Sequence, residues 1–141
     1  MTREDPYGAF NFLVEIAGVD VAGFSEVAGL ENETDVIEYR TGDEVGTVRK
    51  LPGLSKHHNV TLKRGLTDSA ELWDWRKTVV DGQLQRRSIS IVLLDQSRGE
   101  VSRWNLYEAW PCRWEGPEFN AKSSEVAIEA IEICHEGIEL G

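Results

Sequence analysis

Short segments in which apolar and polar residues alternate recur along this chain. That period of two, the side-chain repeat of a β-strand, constrains the fold more than any other feature. Phe10, Phe12, Val14 and Ile16 share one face before Gly18 turns the chain into Val19-Asp20-Val21. Residues 34–40 place Ile37 and Tyr39 on one face and Glu38 and Arg40 on the other, and residues 59–63 alternate again. Residues 88–94 and 100–110, joined by Asp95-Gln96-Ser97-Arg98-Gly99, read as a hairpin with Trp104 and Leu106 opposite Arg103 and Asn105. Residues 24–31 are strand-like but bounded and interrupted by Gly23 and Gly29, which suggests bulges or a close backbone approach.

One helix is predicted, over residues 67–81. Thr67 or Asp68 is positioned to cap it, Glu71 lies in its first turn where the dipole favours a carboxylate, and Asp81-Gly82 ends it. Leu72, Trp75 and Val79 line one stripe, and Trp73, Arg76 and Val80 an adjacent one. Trp73 and Trp75 project about 200° apart on a 3.6-residue repeat, so both cannot enter the same small core: one either faces a partner or lies flat on the chain's own sheet. Pro111, Gly116 and Pro117 break the chain before a segment of mixed signals. There Glu125, Glu129, Glu132 and Glu136 recur at helical spacing while Ile128, Ile131 and Ile133 are β-branched. A strand with a bulge near Ala130 and Ile131 restores the alternation.

Between these elements, residues 41–56 contain three glycines, mixed charge and the stretch Leu51-Pro52-Gly53-Leu54. They read as a long loop turned by the fixed φ of Pro52 and the permissive φ of Gly53. Loops of more than ~12 residues are usually functional or disordered, so this one is either a surface hairpin tip or an arm that orders on a partner.

A chain of 141 residues with 40% hydrophobic content fits a single domain, residues 1–141, with its own core. The net charge of −10 argues against nucleic-acid binding, which relies on Lys and Arg. No apolar run approaches the ~20 residues that span a bilayer, and Met1-Thr2-Arg3-Glu4-Asp5 lacks a leader's apolar stretch; the expectation is assembly in the cytoplasm with no membrane anchoring. Cys112 and Cys134 form no CxxC and have no histidine at ligand spacing. His57 and His58 are adjacent and project to opposite faces of a strand, as do Cys134 and His135. Glu31, Glu33 and Asp35 run along one strand like a solvated edge. No nucleophile elbow, GxGxxG or P-loop is present. The residues alone therefore assign no reaction, metal or cofactor.

Asp5-Pro6-Tyr7 with Phe10-Asn11-Phe12, Phe24-Ser25-Glu26-Val27-Ala28-Gly29-Leu30-Glu31, Ile37-Glu38-Tyr39-Arg40, Leu51-Pro52-Gly53-Leu54, Thr61-Leu62-Lys63-Arg64-Gly65-Leu66, Leu72-Trp73-Asp74-Trp75 and Trp110-Pro111 follow one another in consistent order. Together they resemble the tail tube protein family of contractile phages and phage-derived extracellular contractile injection systems. The resemblance runs from Asp5 to about His135.

It implies a mainly β fold, a sandwich or barrel of antiparallel strands with one flanking helix, in a structural subunit with no enzymatic activity. Copies would form hexameric rings that stack into a hollow tube. A contractile sheath surrounds the tube and drives it through a target envelope; baseplate or spike and tube-terminator proteins close its ends, and a protein or DNA cargo passes along the lumen. The resemblance places contacts between copies at Pro6, Tyr7, Gly42, Asp43, Arg49, Lys50, residues 51–54, Trp73 and Trp75. It places Glu38, Arg40, Ser88, Ser90, Arg103 and Asn105 on the lumen wall. A tube-initiating paralogue at the baseplate shares these motifs, and the tube protein of type VI secretion is a more distant fit. A monomeric β-barrel that binds a ligand or acts as an enzyme is the alternative from another class.

Overall fold

The computed structural model describes residues 6–9, 11–19, 23–40, 42, 46–122 and 124–141. The strands are β1 (Phe12–Ile16), β2 (Phe24–Ala28), β3 (Asn32–Tyr39), β4 (Arg49–His57) and β5 (Val60–Gly65), followed by helix α1 (Glu71–Val80) and then β6 (Arg87–Leu94), β7 (Glu100–Glu115), β8 (Ile128–Cys134) and β9 (Gly137–Leu140). Every pairing is antiparallel, in the order β1-β6-β7-β8-β5-β2 with β9 also on β7, while β3 and β4 form a separate two-stranded sheet. The expected mainly β fold with one helix is therefore observed. Among the described residues β1 and β2 remain as edges, and the sheet does not close into a barrel.

β7 is the hinge of this arrangement. Its first half pairs with β6 and β9, and Trp110 to Glu115 pair with β8. Three register shifts interrupt it, one opposite Arg87 and Ile89, one between Pro111 and Arg113, and a further one opposite Leu93 and Leu94. The first contains Glu108 at φ 52, a left-handed conformation that lets an extra residue bend the strand. The second explains why Pro111, expected to end the strand, lies inside it: a proline without an N–H is tolerated at a bulge. Residues from both halves then meet in one core, among them Ile89 and Leu106 from one and Val60, Leu62, Ile131 and Ile133 from the other.

β8 corrects a second expectation. The segment is a strand, but it pairs with β5 in unbroken register and carries no bulge. Alternation is continuous because Glu129 points inward with Ile131 and Ile133. Its carboxylate is 3% exposed and meets Arg64, directly opposite on β5 and 2% exposed. Arg64 also donates to the Ser69 carbonyl at 3.0 Å, and the Trp114 indole N–H donates to Glu129 at 3.2 Å. An inward Glu is tolerated because these donors replace the water it loses.

α1 is shorter at its start than the sequence suggests. Neither Thr67 nor Asp68 caps it; Ala70 holds that position without a side-chain hydrogen bond. Thr67 Oγ1 instead accepts from the Ser69 amide at 3.3 Å, a local turn that competes with capping. The other end is as expected: Gly82, at φ 76, turns the chain out of the helix. Leu72 and Trp75 are buried in the core, and the Trp75 indole donates to the Gln85 carbonyl at 2.8 Å.

Candidate functional site

Residues 49–56, expected within a long loop over 41–56, belong to strand β4, so the arm is a hairpin of β3 and β4. The Leu-Pro-Gly-Leu segment is not a turn. It is a bulged stretch of strand, with a register shift between Thr34 and Val36 on the partner side. Gly53 does not use a left-handed φ; its requirement is spatial, since a Cβ there would lie 3.1 Å from the Asp35 carbonyl oxygen.

Every residue of β3 is exposed, and in β4 only Gly53 and His57 are half-buried. The hairpin holds itself through polar cross-strand pairs. Lys56 Nζ lies 3.2 Å from Glu33 and 3.7 Å from Asp35, and the Thr34 and Ser55 hydroxyls are 2.9 Å apart. Hydrogen bonding to Lys56 chiefly, with its charge, holds the Glu33 carboxyl below its usual range. Between these pairs the arm presents apolar side chains to solvent: Val36 is 63%, Ile37 52% and Leu54 80% exposed, with Tyr39 and Leu51 also exposed. A two-stranded ribbon is marginally stable alone.

All three histidines gather at the base of the arm. The His57 and His135 rings are 5.5 Å apart, His135 Nε2 lies 2.9 Å from the His58 carbonyl oxygen, and His58 Nε2 is 3.3 Å from Glu33. Burial chiefly, and then the neighbouring His57, push the His135 imidazole below its ordinary range. Burial and the adjacent Cys134 push the Cys112 thiol up to about 12, which leaves it protonated and a poor nucleophile at neutral pH.

A second surface lies on the main sheet. Ser88, Ser90, Arg103 and Asn105 share one face of the half built from β1, β6, β7 and β9, opposite the core residues Ile89 and Leu106. The Ser90 hydroxyl and Asn105 Oδ1 are 2.7 Å apart. Arg103 spans Glu15 at 2.9 Å and Glu100 at 2.7 Å, and the two carboxylates push its guanidinium further into the charged form. Glu15, Glu100, Tyr107 and Glu139 belong to this polar surface and were missed from sequence. Glu15 was legible as the outward residue between Val14 and Ile16.

The remaining expected positions are scattered. Glu38 and Arg40 do not join Ser88 and Ser90: Glu38 lies on β3 opposite Lys50, Arg40 immediately follows β3, and Arg49 faces Tyr39. Pro6, Tyr7 and Gly42 are exposed. Tyr7 lines an apolar groove of about 370 Å³ with Phe12, Val27 and Trp104. Asp43 lies outside the described residues. Of the two helix tryptophans, Trp73 is 47% exposed and stacks edge-to-face on Trp114, with centroids 4.8 Å apart. Trp75 is 2% exposed in the chain's own core, so it is withdrawn from the contacts between copies. Among the described residues no helix is long and apolar enough to cross a membrane.

Residues 8–139 match the family described as T4-like virus tail tube protein gp19. The chain belongs to that family. No curated protein sequence matches it. Among solved structures it is similar to a chain of the sheath–tube complex of an extracellular contractile injection system in the extended state, at 30% identity over 98% of this chain and 93% of that one, with a TM-score of 0.86. A chain from the sheath/tube terminator of such a system is 30% identical over 99% of both chains, with a TM-score of 0.89. A chain from the tube-terminating cap of the anti-feeding prophage is 26% identical over 100% of this chain and 94% of that one, with a TM-score of 0.89. Hcp1 from Flavobacterium johnsoniae shares the fold at 17% identity over 94% and 95% of the chains, with a TM-score of 0.63. This tail tube chain is a structural component of phage-tail-like contractile particles.

Proposed function

We propose that six copies of this chain close into a ring, that rings stack into the inner tube of a contractile particle, and that the β3–β4 arm makes the contact between copies. The observation that carries the reading is the arm itself, which exposes Val36, Ile37, Leu51 and Leu54 on a ribbon too thin to be stable alone. The unpaired edges of β1 and β2 support it, because closing a sheet across subunits removes edges that would otherwise pair indiscriminately. The face bearing Ser88, Ser90, Arg103 and Asn105 lines the lumen, where a two-faced sheet finds the water it needs. Sheath, baseplate and terminator proteins are the partners, and a protein or DNA cargo occupies the lumen. Assembly takes place in the cytoplasm.

The test replaces Leu51 and Leu54 by serine and examines tubes by negative-stain electron microscopy and sedimentation. Burying one leucine contributes about 2 kcal/mol, repeated at every arm of a ring. The Leu51→Ser/Leu54→Ser chain is expected to fold with an unchanged circular-dichroism spectrum and to give no stacked tubes. Tubes of normal length and yield would remove the arm's role. A chain that forms single rings at all concentrations, in the wild type as well, would instead be a tube initiator at the baseplate.

A further inference from the structure

Where the arm leaves the body, the β3–β4 ladder brings three metal-ligating side chains onto one face. Glu31 lies just before β3 and Glu33 two residues on, so their side chains point the same way. His58 joins them from the other strand. Its amide donates to the Glu31 carbonyl at 3.0 Å, which extends the ladder by one pair beyond Asn32 and His57. The imidazole therefore stands across from Glu31 and diagonal to Glu33. His58 Nε2 is 3.7 Å from Glu31 Oε1 and 3.3 Å from Glu33 Oε1, and one ligand atom from each of the three residues lies within 4.8 Å of the others. Glu31 and Glu33 alone are a solvated edge; the histidine makes them a donor set.

The spacing has a chemical meaning. Zinc bonds of ordinary length place neighbouring ligand atoms of a tetrahedron about 3.3–3.4 Å apart, and the two His58 distances lie at and just above that edge. His58 Nε2 is shielded from solvent, yet neither carboxylate accepts a well-aligned hydrogen bond from it. A shielded ring nitrogen left in that state is one that a bound ion would satisfy. One imidazole with two carboxylates suits Zn2+ and related first-row transition ions, whereas Ca2+ and Mg2+ take shells of six or more oxygens. We propose that Glu31, Glu33 and His58 bind a divalent transition-metal ion of the zinc type at the base of the arm, with water in the fourth position. Lys56 Nζ, 3.2 Å from the same Glu33 oxygen, is the cation that the ion displaces. The bound ion ties the start of β3 to the turn between β4 and β5, from which His58 presents its carbonyl to His135 on the main sheet's side.

The experiment titrates the untagged full chain with Zn2+ by isothermal titration calorimetry, at a concentration where sedimentation shows no assembly, with Ca2+ and Mg2+ as controls. One Zn2+ per chain is expected, with no comparable binding of the other two ions. His58→Gln and Glu33→Gln, each checked for an unchanged circular-dichroism spectrum, should weaken Zn2+ binding by at least about tenfold. His57→Gln, on the opposite face of the strand, should bind as wild type does. Lys56→Gln should bind at least as tightly as wild type, because the competing ammonium is gone. The proposal is overturned if the wild-type chain binds no Zn2+, if His58→Gln and Glu33→Gln both keep wild-type affinity, or if Lys56→Gln binds more weakly. Loss of binding in His57→Gln but not in His58→Gln would move the ion to the His57–His135 pair and also overturn it. Equal affinity for Ca2+ would reveal a diffuse acidic patch, and one ion shared by two chains a site between copies; either result overturns the coordination site described.

Discussion

Replacing Glu129 by leucine isolates the energetics of the one inward ion pair on the β5–β8 ladder. Arg64 and Glu129 are 2% and 3% exposed and lie opposite one another in register. Each has one further protein partner, the Ser69 carbonyl for Arg64 and the Trp114 indole for Glu129. In Glu129→Leu the guanidinium remains buried with a carbonyl alone, and removing one partner of such a pair costs about 3–5 kcal/mol. Against a total stability of about 5–15 kcal/mol that is a large fraction. For a chain of this size it corresponds to a fall in Tm of roughly 10–15 °C. Arg64→Met/Glu129→Leu should recover most of the loss, because an apolar pair of similar volume avoids desolvating either charge. The assay is urea unfolding followed by tryptophan fluorescence, at a concentration where sedimentation shows no assembly, so that association does not raise the apparent stability. Two results would refute the argument: a Glu129→Leu midpoint within about 1 kcal/mol of wild type, or a double variant no more stable than Glu129→Leu.

Two further expectations follow from particular positions. Gly29, at φ 97, has the Asn59 carbonyl oxygen where a Cβ would stand; Gly29→Ala combines left-handed strain with overlap and should cost about 3 kcal/mol, read from the same urea curves. A cost below about 0.5 kcal/mol would show that β2 shifts freely. Because burial holds the His135 imidazole below its ordinary range, the unfolded chain takes up that proton at a higher pH than the folded one. Stability should therefore fall as pH drops below about 6.5 and level off once the folded group is protonated. His135→Gln should flatten that decline, and an identical pH dependence in the variant would count against it.

The sequence by itself determined the strand content, the single helix and its glycine end, and the hairpin closed by Asp95 and Gly99. These are local properties: side-chain period, a residue that tolerates positive φ, and a carboxylate that accepts from nearby amides, as Asp95 does from Ser97 and Gly99 at 2.9 and 2.8 Å. The ordered motifs from Pro6 to Pro111 also carried the family. The polar face of Ser88, Ser90, Arg103 and Asn105 was readable because each alternates with a core residue along its own strand.

Only the tertiary structure decided the rest. Nothing within its own strand shows that Glu129 faces inward, because Arg64, which stands opposite it, is sixty-five positions away. Trp73 and Trp75 were equivalent candidates for an interface until packing buried Trp75. Pro52 and Pro111 were read as breaks, since a bulge that accommodates proline is a property of two paired strands rather than one. The family resemblance groups Glu38 with Ser88, yet β3 pairs with β4 outside the main sheet. Period two fixes which side chains share a face of their own strand, whereas the choice of partner strand, and so which faces meet a core, depends on contacts between residues distant in sequence.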